Sequence, residues 1–326
     1  MKTIAIVATG GTIAGTGAQG KTVAYHAGEM AVNEIIDSIP MIREVANIKE
    51  YQLMNVDSNE MNPQRWITLS NHINEIVSDE TIDGVVVTHG TDTLDETAYF
   101  LTLTLNTDKP VVITGAMRPA TATSADGPYN LYQAVCLAAY SKVRQQGVMG
   151  LFSNTIYSGR DIQKVNNYKI DAFEQKDSGC LGYMQDNEVY FFSASFKYHT
   201  IGSRFSKQKL TTLPEVAIAY FYAGALSSVL YDLAKNHQGI VIVGSGNGNY
   251  SQDWLTAIED LSKQGIIFVR ASRVSHGIVF DDQVFDPHQY CIAANTLSAQ
   301  KARVLLMLSL SQTNDREEIR GIFNEY

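Results

Sequence analysis

Short apolar runs that alternate with helix-like stretches restrict the fold of this chain more than any other feature of its sequence. The runs are rich in Val and Ile and cover residues 4–8, 84–87, 111–114, 148–152, 216–222, 240–243 and 266–269. Near-continuous apolar character is typical of strands buried on both faces, as in parallel sheets. Helices are predicted at residues 62–77, 94–105, 128–145, 253–263, 298–310 and 315–324. This alternation predicts an α/β fold.

The length of the chain predicts two domains. Its 326 residues are about twice the size of an ordinary domain. After residue 182 the alternation stops, and the stretch up to Pro214 is polar apart from one hairpin strand predicted at residues 190–194. We therefore expect a larger N-terminal α/β domain at 1–190, a linker at 191–213 and a smaller C-terminal α/β domain at 214–326. One continuous domain with a long excursion is the alternative.

Composition excludes several classes of protein. A hydrophobic content of 45% is typical of a globular chain with a sizeable core. The formal net charge of −9 argues against a nucleic-acid partner, and no apolar run reaches the ~18 residues that would cross a membrane. Three isolated cysteines suggest structural thiols rather than disulfides or a zinc site. No signal peptide is recognised.

A glycine-rich segment imitates a nucleotide-binding loop. Residues 15–22, GTGAQGKT, match the P-loop pattern, and GTGAQG matches the dinucleotide fingerprint. A P-loop needs a strand that runs into the first glycine and a helix that begins at the lysine. Here the predicted strand ends near Ala8, and TVAYHAGEM after Lys21 is a poor helix start. We expect the match to be accidental and no nucleotide cofactor to bind.

Two other strand ends carry hydroxyl groups next to glycine. Thr12 follows the run IAIVA, and Thr91 with Asp92 follows GVVV. Ligands of α/β sheets bind beyond the carboxyl ends of strands. A threonine hydroxyl needs a base to become a nucleophile, and Asp92 or a lysine such as Lys164 could serve. We interpret the neighbouring His89 as structural. No zinc-hydrolase or serine-hydrolase motif occurs.

The segments TGGTIAG, THGTDT, GAMRPATATSADGPYN and QKARVLL closely resemble the bacterial type II L-asparaginases, and the resemblance extends over essentially the whole chain. It implies hydrolysis of L-asparagine to L-aspartate and ammonia, with possible lesser glutaminase activity and no metal or other cofactor. Thr12 would be the nucleophile that forms an acyl-enzyme, and Tyr25 would help to activate it from the loop that contains the P-loop match. Thr91, Asp92 and Lys164 would form a second cluster, with Lys164 as base.

The same resemblance implies the substrate contacts and the assembly. Ser58 and Asp92 would hold the α-carboxylate and α-amino groups, and the backbone near Ala116 would lie at the amide end. The family forms a homotetramer, a dimer of dimers, in which Asn249 from the second domain completes a neighbour's site. The resemblance implies a periplasmic or secreted location, as is usual for the family. The N-terminal residues of the sequence equally fit a cytoplasmic protein.

Two positions depart from the family pattern. Asn59 stands where Gln or Glu usually follows the binding serine. Val284 stands where the family has a glutamate that the partner subunit contributes to the site. Asp281 or Asp282 could substitute for it. We expect altered affinity for the substrate rather than loss of activity. Two other functions stay open: an amino-acid-binding α/β protein without catalysis, and a nucleotide-dependent P-loop enzyme.

Overall fold

The structure, a computed structural model, describes residues 1–17, 25–26, 31–281, 283 and 286–326. The chain divides into two compact units, residues 1–209 and 210–326. This division falls inside the segment 191–213 that was predicted to connect two domains. Within the described residues, no helix is both long and apolar enough to cross a membrane.

The first unit is built on one large sheet. Its described strands are β1 Lys2–Gly10, β2 Thr16–Gly17, β3 Tyr25–His26, β4 Ala46–Val56, β5 Gly84–Thr88, β6 Val111–Thr114, β7 Val148–Phe152, β8 Thr155–Ser158, β9 Ile162–Lys164, β10 Phe173–Gln175, β11 Gly182–Gln185 and β12 Glu188–Phe191. Eight of them form a sheet in the order β12-β11-β8-β7-β6-β5-β1-β4. The five from β7 to β4 are parallel, and β8, β11 and β12 add an antiparallel edge.

Helices cover both faces of this sheet. They are α1 Val32–Asp37, α2 Ile42–Val45, α3 Pro63–Ser78, α4 Leu94–Thr104 and α5 Gly127–Ala139. Successive side chains of a strand point to opposite faces, so Ile4 and Ile6 of β1 pack in one core with α5, while Ala5 and Val7 pack in the other with α3 and α4. The five parallel strands have their carboxyl ends at one edge of the sheet, and helices cover the central strands on both faces.

The second unit has a smaller sheet of its own. The strands β13 Val216–Tyr220, β14 Gly239–Gly244, β15 Ile267–Ser272 and β16 Cys291–Ala293 are parallel and lie in that order. Its described helices are α6 Ser228–Ala234, α7 Gln252–Lys263, α8 Ala299–Leu310 and α9 Arg316–Glu325. Trp254 of α7 and Phe268 of β15 are fully buried in its core.

The predicted α/β class is confirmed, and several details differ from the sequence-based expectation, among them the hairpin strand predicted at 190–194, which is β12 at Glu188–Phe191. The helix predicted at 128–145 ends at Ala139, because Tyr140 is extended and a 3-10 turn follows at Ser141–Val143. The eleven-residue strand β4 was not predicted. It lies at the edge of the sheet, and its partly exposed, polar-rich sequence lacks the continuous apolar run that marks the central strands.

Candidate active site

The strand end after β1 presents Thr12. Gly10 and Gly11 have φ of 105° and 85°, which glycine adopts without strain. A Cβ on Gly11 would lie 2.4 Å from the backbone nitrogen of Gly90, so the loops after β1 and β5 touch through their backbones. Thr12 begins a 3-10 turn, Thr12–Ala14, and is buried. The glycines therefore hold the Thr12 loop against the loop that carries Thr91.

The strand end after β5 is packed equally closely against a third loop. A Cβ on Gly90 would lie 2.8 Å from Oγ of Ser58, which follows β4. The Ser58 hydroxyl accepts a hydrogen bond from the backbone N–H of Asp92 at 3.3 Å, and the Thr93 hydroxyl donates to the Ser58 carbonyl at 2.7 Å. Three neighbouring strand ends, those of β4, β1 and β5, thus bring Ser58, Thr12 and Thr91 to one edge of the sheet.

Lys164 supplies the basic group of the cluster. It ends β9, and its Nζ donates to Thr91 Oγ1 at 2.8 Å and to Asp92 Oδ1 at 2.6 Å. The lysine side chain is only 15% exposed, whereas that of Asp92 is 54% exposed. Hydrogen-bond contact between a hydroxyl and an amine is the geometry that proton transfer requires. The arrangement can therefore pass a proton between Thr91 and Lys164 while Asp92 balances the charge.

Asp57 and Asn59 lie beside this cluster. Oδ1 of Asp57 accepts from the backbone N–H of Asn59 and from its Nδ2, both at 2.8 Å. The same Nδ2 lies 3.5 Å from Oδ2 of Asp92. Asp57 was not among the predicted site residues, because the strand that precedes it was not predicted. Its position directly before the expected binding serine is the signal that could have identified it.

One cavity of about 210 Å³ joins these groups. Its described lining consists of Gly11, Thr12, Asp57, Ser58, Gly90, Thr91, Asp92, Met117, Lys164 and Asn167. Both threonines open into it together with the lysine, so a small polar molecule inside would meet a hydroxyl, an ammonium and carboxylates at once.

The loop after β6 is fixed by polar contacts. Asp126 accepts hydrogen bonds from the backbone N–H groups of Met117 and Arg118, both at 2.9 Å, and Asn130 donates to the Gly115 carbonyl at 3.0 Å. Ala116 is fully buried within this loop. It is the neighbouring Met117 that lines the cavity.

Comparisons with known proteins identify the family. Residues 3–197 match the family model described as asparaginase, N-terminal, and residues 215–323 match the glutaminase/asparaginase C-terminal domain. The chain belongs to the asparaginase family. The resemblance indicated by the four sequence motifs is thereby confirmed.

Relatives and a solved structure of the family match over nearly the full chain. A probable periplasmic L-asparaginase of Haemophilus influenzae is 42% identical, and L-asparaginase 2 of Escherichia coli is 41% identical; each match covers 99% of this chain and 93% of the relative. A glutaminase-asparaginase of Pseudomonas fluorescens is 38% identical over 99% of this chain and 90% of its own. The crystal structure of a probable cytoplasmic L-asparaginase from Campylobacter jejuni superposes with a TM-score of 0.96 at 42% identity, covering 100% of both chains.

Several predicted residues lie outside this cavity or outside the described residues. Tyr25 belongs to β3, which pairs with β2, but its side chain is not among the described ones. Asn249 is exposed in the second unit. Asp281 pairs with Arg320 inside the second unit, while Asp282 and Val284 lie outside the described residues.

His89 has a structural environment, as the sequence suggested. It is fully buried, its Nδ1 contacts the Gly90 carbonyl at 2.7 Å, and its Nε2 lies 3.0 Å from Thr97 Oγ1. Trp66 Nε1 donates to the same hydroxyl at 2.9 Å. Because the Gly90 carbonyl can only accept, Nδ1 carries the proton, and Nε2 of the neutral ring accepts from the Thr97 hydroxyl. Burial lowers the pKa of His89 to about 4, so the ring is neutral near pH 7. Its hydrogen bonds connect Thr97 of α4 with Gly90 in the loop that carries Thr91.

Metal and nucleotide sites concern different parts of the chain. No group of three or more His, Cys, Asp or Glu side chains that could hold a metal occurs in the described part of the chain. The Lys21–Thr22 end of the P-loop match lies outside the described residues.

Proposed function

We propose that this protein hydrolyses the side-chain amide of L-asparagine to L-aspartate and ammonia, with lesser activity on L-glutamine. The observation that carries the proposal is the shared cavity, into which Thr12 and the Thr91–Lys164–Asp92 cluster both open. Membership in a family whose relatives are named L-asparaginases and glutaminase-asparaginases supports this substrate class. Glutamine is longer by one methylene, a difference that a pocket discriminates by roughly 10- to 200-fold.

In this mechanism the Thr12 hydroxyl oxygen attacks the amide carbon. The C–N bond breaks, ammonia leaves with the hydroxyl proton, and an ester remains on Thr12. Tyr25 assists this proton transfer. Water then attacks the ester while Lys164, which acts here in its neutral amine form, accepts the proton of the water through Thr91; the Thr12 oxygen regains a proton as aspartate forms. Ser58, Asn59 and Asp92 hold the α-groups, and the backbone at Ala116 borders the amide end.

An ammonia-release assay on asparagine and glutamine tests the reaction. We expect Thr12→Ala and Thr91→Val each to lower kcat by several orders of magnitude, because each removes a hydroxyl with a direct chemical role. Turnover that survives both substitutions would refute the mechanism. Asparagine binding without ammonia release would instead identify an amino-acid-binding protein, and an ATP-induced rise in melting temperature that Lys21→Ala abolishes would identify a nucleotide-binding enzyme.

We further propose a homotetramer, a dimer of dimers, in which Asn249 completes a neighbour's site. Exposed apolar side chains on the edge strand β13 and the segment after it support a subunit interface, namely Ile218, Tyr220, Tyr222, Leu226 and Val229. Light scattering should give four times the chain mass. Mixed oligomers of Thr12→Ala and Asn249→Ala chains should be more active than either parent, because a site can then combine Thr12 of one chain with Asn249 of the other.

The proposed location is the periplasm or the exterior, with the cytoplasm as the alternative. The names of the relatives include both a periplasmic and a cytoplasmic enzyme. Release of the activity by osmotic shock of the native cells would support the periplasm, and retention with cytoplasmic markers would support the alternative.

A further inference from the structure

Among its described lining residues, the cavity has more carboxylate charge than the Thr91–Lys164–Asp92 cluster balances. Its charged side chains, among the described lining residues, are Asp57, Asp92 and Lys164. The ammonium of Lys164 lies 2.6 Å from Asp92 Oδ1, so these two charges neutralise one another. Among the described lining residues, the Asp57 carboxylate therefore has no balancing cation, and it directly precedes Ser58 in the loop expected to hold the substrate's α-groups.

The Asn59 amide marks a position between the two carboxylates. Its Nδ2 lies 2.8 Å from Asp57 Oδ1 and 3.5 Å from Asp92 Oδ2. The NH₂ end must face both, because ionised carboxylates only accept hydrogen bonds. A donor group is thus stabilised between Asp57 and Asp92. An ammonium has three N–H donors and a positive charge, so it suits two carboxylates better than a neutral amide does.

We propose that Asp57 is a substrate-binding residue that determines specificity: together with Asp92 it forms a two-carboxylate site for the α-ammonium of the amino-acid substrate. This inference rests on the proposed function. It also accounts for the departure at Val284, because the second carboxylate is then supplied within the first unit, next to Ser58. Asp281 is unsuited to that role, since its carboxylate is engaged by Arg320.

The charge of the site has two consequences for ligand choice. An amide substrate without an α-amino group loses the interaction with Asp57. Aspartate, the product, carries a carboxylate in place of the amide, so the surplus negative charge disfavours it. The protein should therefore require the α-ammonium and be weakly inhibited by its product.

The test compares Asp57→Asn with Glu60→Gln, which removes one negative charge from the same 3-10 turn outside the cavity lining. Substrates are asparagine and succinic acid monoamide, which is asparagine without its α-amino group. In Asp57→Asn we expect KM for asparagine to rise about tenfold or more, as for loss of a charged hydrogen bond, with kcat within about twofold. For the monoamide, kcat/KM should stay equal or rise. Glu60→Gln should resemble the wild type with both substrates.

Three results would overturn the assignment: an unchanged KM for asparagine in Asp57→Asn, an equal loss with the monoamide, or a KM effect confined to Asp282→Asn. Calorimetry of asparagine binding to Thr12→Ala, with and without Asp57→Asn, keeps the assignment testable even if the wild type releases no ammonia. In that case the proposed hydrolysis fails, while a roughly tenfold weaker Kd in the double variant would still support the Asp57 contact.

Discussion

The parallel strands of the two sheets end in loops of opposite character. In the first unit, the loops after β4, β1 and β5 direct hydroxyl and charged side chains into a cavity. In the second unit, the loop after β14 closes on itself: Ser245 and Asn249 exchange backbone hydrogen bonds at 2.8 and 2.7 Å. The loops after β1 and β14 are both rich in glycine, so glycine content alone does not decide which loop lines a cavity.

The difference lies in where the basic side chain points. Lys164 reaches a hydroxyl and a carboxylate at a cavity wall. Arg270 of β15 is 1% exposed and donates instead to the backbone carbonyls of Asn247 and Phe280. Parallel strands thus end in a lysine–threonine–aspartate cluster in one unit and in a loop held by a buried arginine in the other. Substitutions should therefore cost chemistry in the first unit and stability in the second.

Among the changes that compare the two units, the largest expected effect is the loss of turnover in Lys164→Met. Removing the base should lower kcat for asparagine by about 10³-fold, a typical contribution of general base catalysis. The melting temperature should change little, because the lysine lies at the cavity rather than in the core. Lys169→Met, an exposed lysine nearby, is the matched control for kcat and melting. A kcat within tenfold of the wild type would contradict the assigned role.

Next in size is the destabilisation expected for Arg270→Met. Two backbone carbonyls lose their buried guanidinium donor, which should cost about 3 kcal/mol of unfolding free energy. The kcat for asparagine should change far less than in Lys164→Met. Urea unfolding measures the loss, with the exposed Arg273→Met as control. If Arg270→Met unfolds like the wild type, the loop does not depend on this side chain.

His89 should make the first unit sensitive to acid. Burial lowers its pKa to about 4, from an ordinary 6.5, so the unfolded chain binds the proton more readily. Stability is then fully present above pH 6.5 and is lost as pH falls towards 4. Between pH 7 and pH 5 this group should cost the wild type about 2 kcal/mol.

Urea unfolding at both pH values checks this expectation. His89→Gln should be less stable at pH 7 but should lose less stability on acidification, whereas the exposed His276→Gln should keep the dependence of the wild type. Parallel pH curves for His89→Gln and the wild type would show that another group is responsible.

The smallest expected effect is that of Asp281→Asn. Its partner Arg320 is largely buried, but the Asp281 side chain is 28% exposed, so the pair should contribute about 1 kcal/mol or less. KM for asparagine should change by less than about twofold. A double-mutant cycle with Arg320→Gln measures the pair, and a large rise in KM would instead place Asp281 in a substrate site.

The central strands and the threonine loops could be predicted from the sequence for a physical reason. Strands buried on both faces must be continuously apolar, and their carboxyl ends must converge. That reasoning led to Thr12, Thr91 and Asp92, which the structure brings to one cavity. The family resemblance was needed for Ser58, and Lys164 was one of several possible lysines until the motifs were matched.

The features that could not be predicted from the sequence lie on an edge strand of the sheet or depend on contacts between residues far apart in the chain. Strand β4 has one side on solvent and reads as an irregular polar segment, so Asp57 at its end was missed. The pairing of Asp281 with Arg320 joins residues 39 positions apart, and no local pattern predicts such a contact. The same holds for Arg270, whose partners are carbonyl groups rather than side chains.

The contact between Gly11 and Gly90 has a consequence for redesign. Because the two loops meet through backbone atoms, the spacing between the two threonine loops is a property of the main chain and not of any side chain. Libraries aimed at substrate preference should therefore keep both glycines, since a Cβ on Gly11 would meet the backbone of Gly90 and a Cβ on Gly90 would meet Ser58.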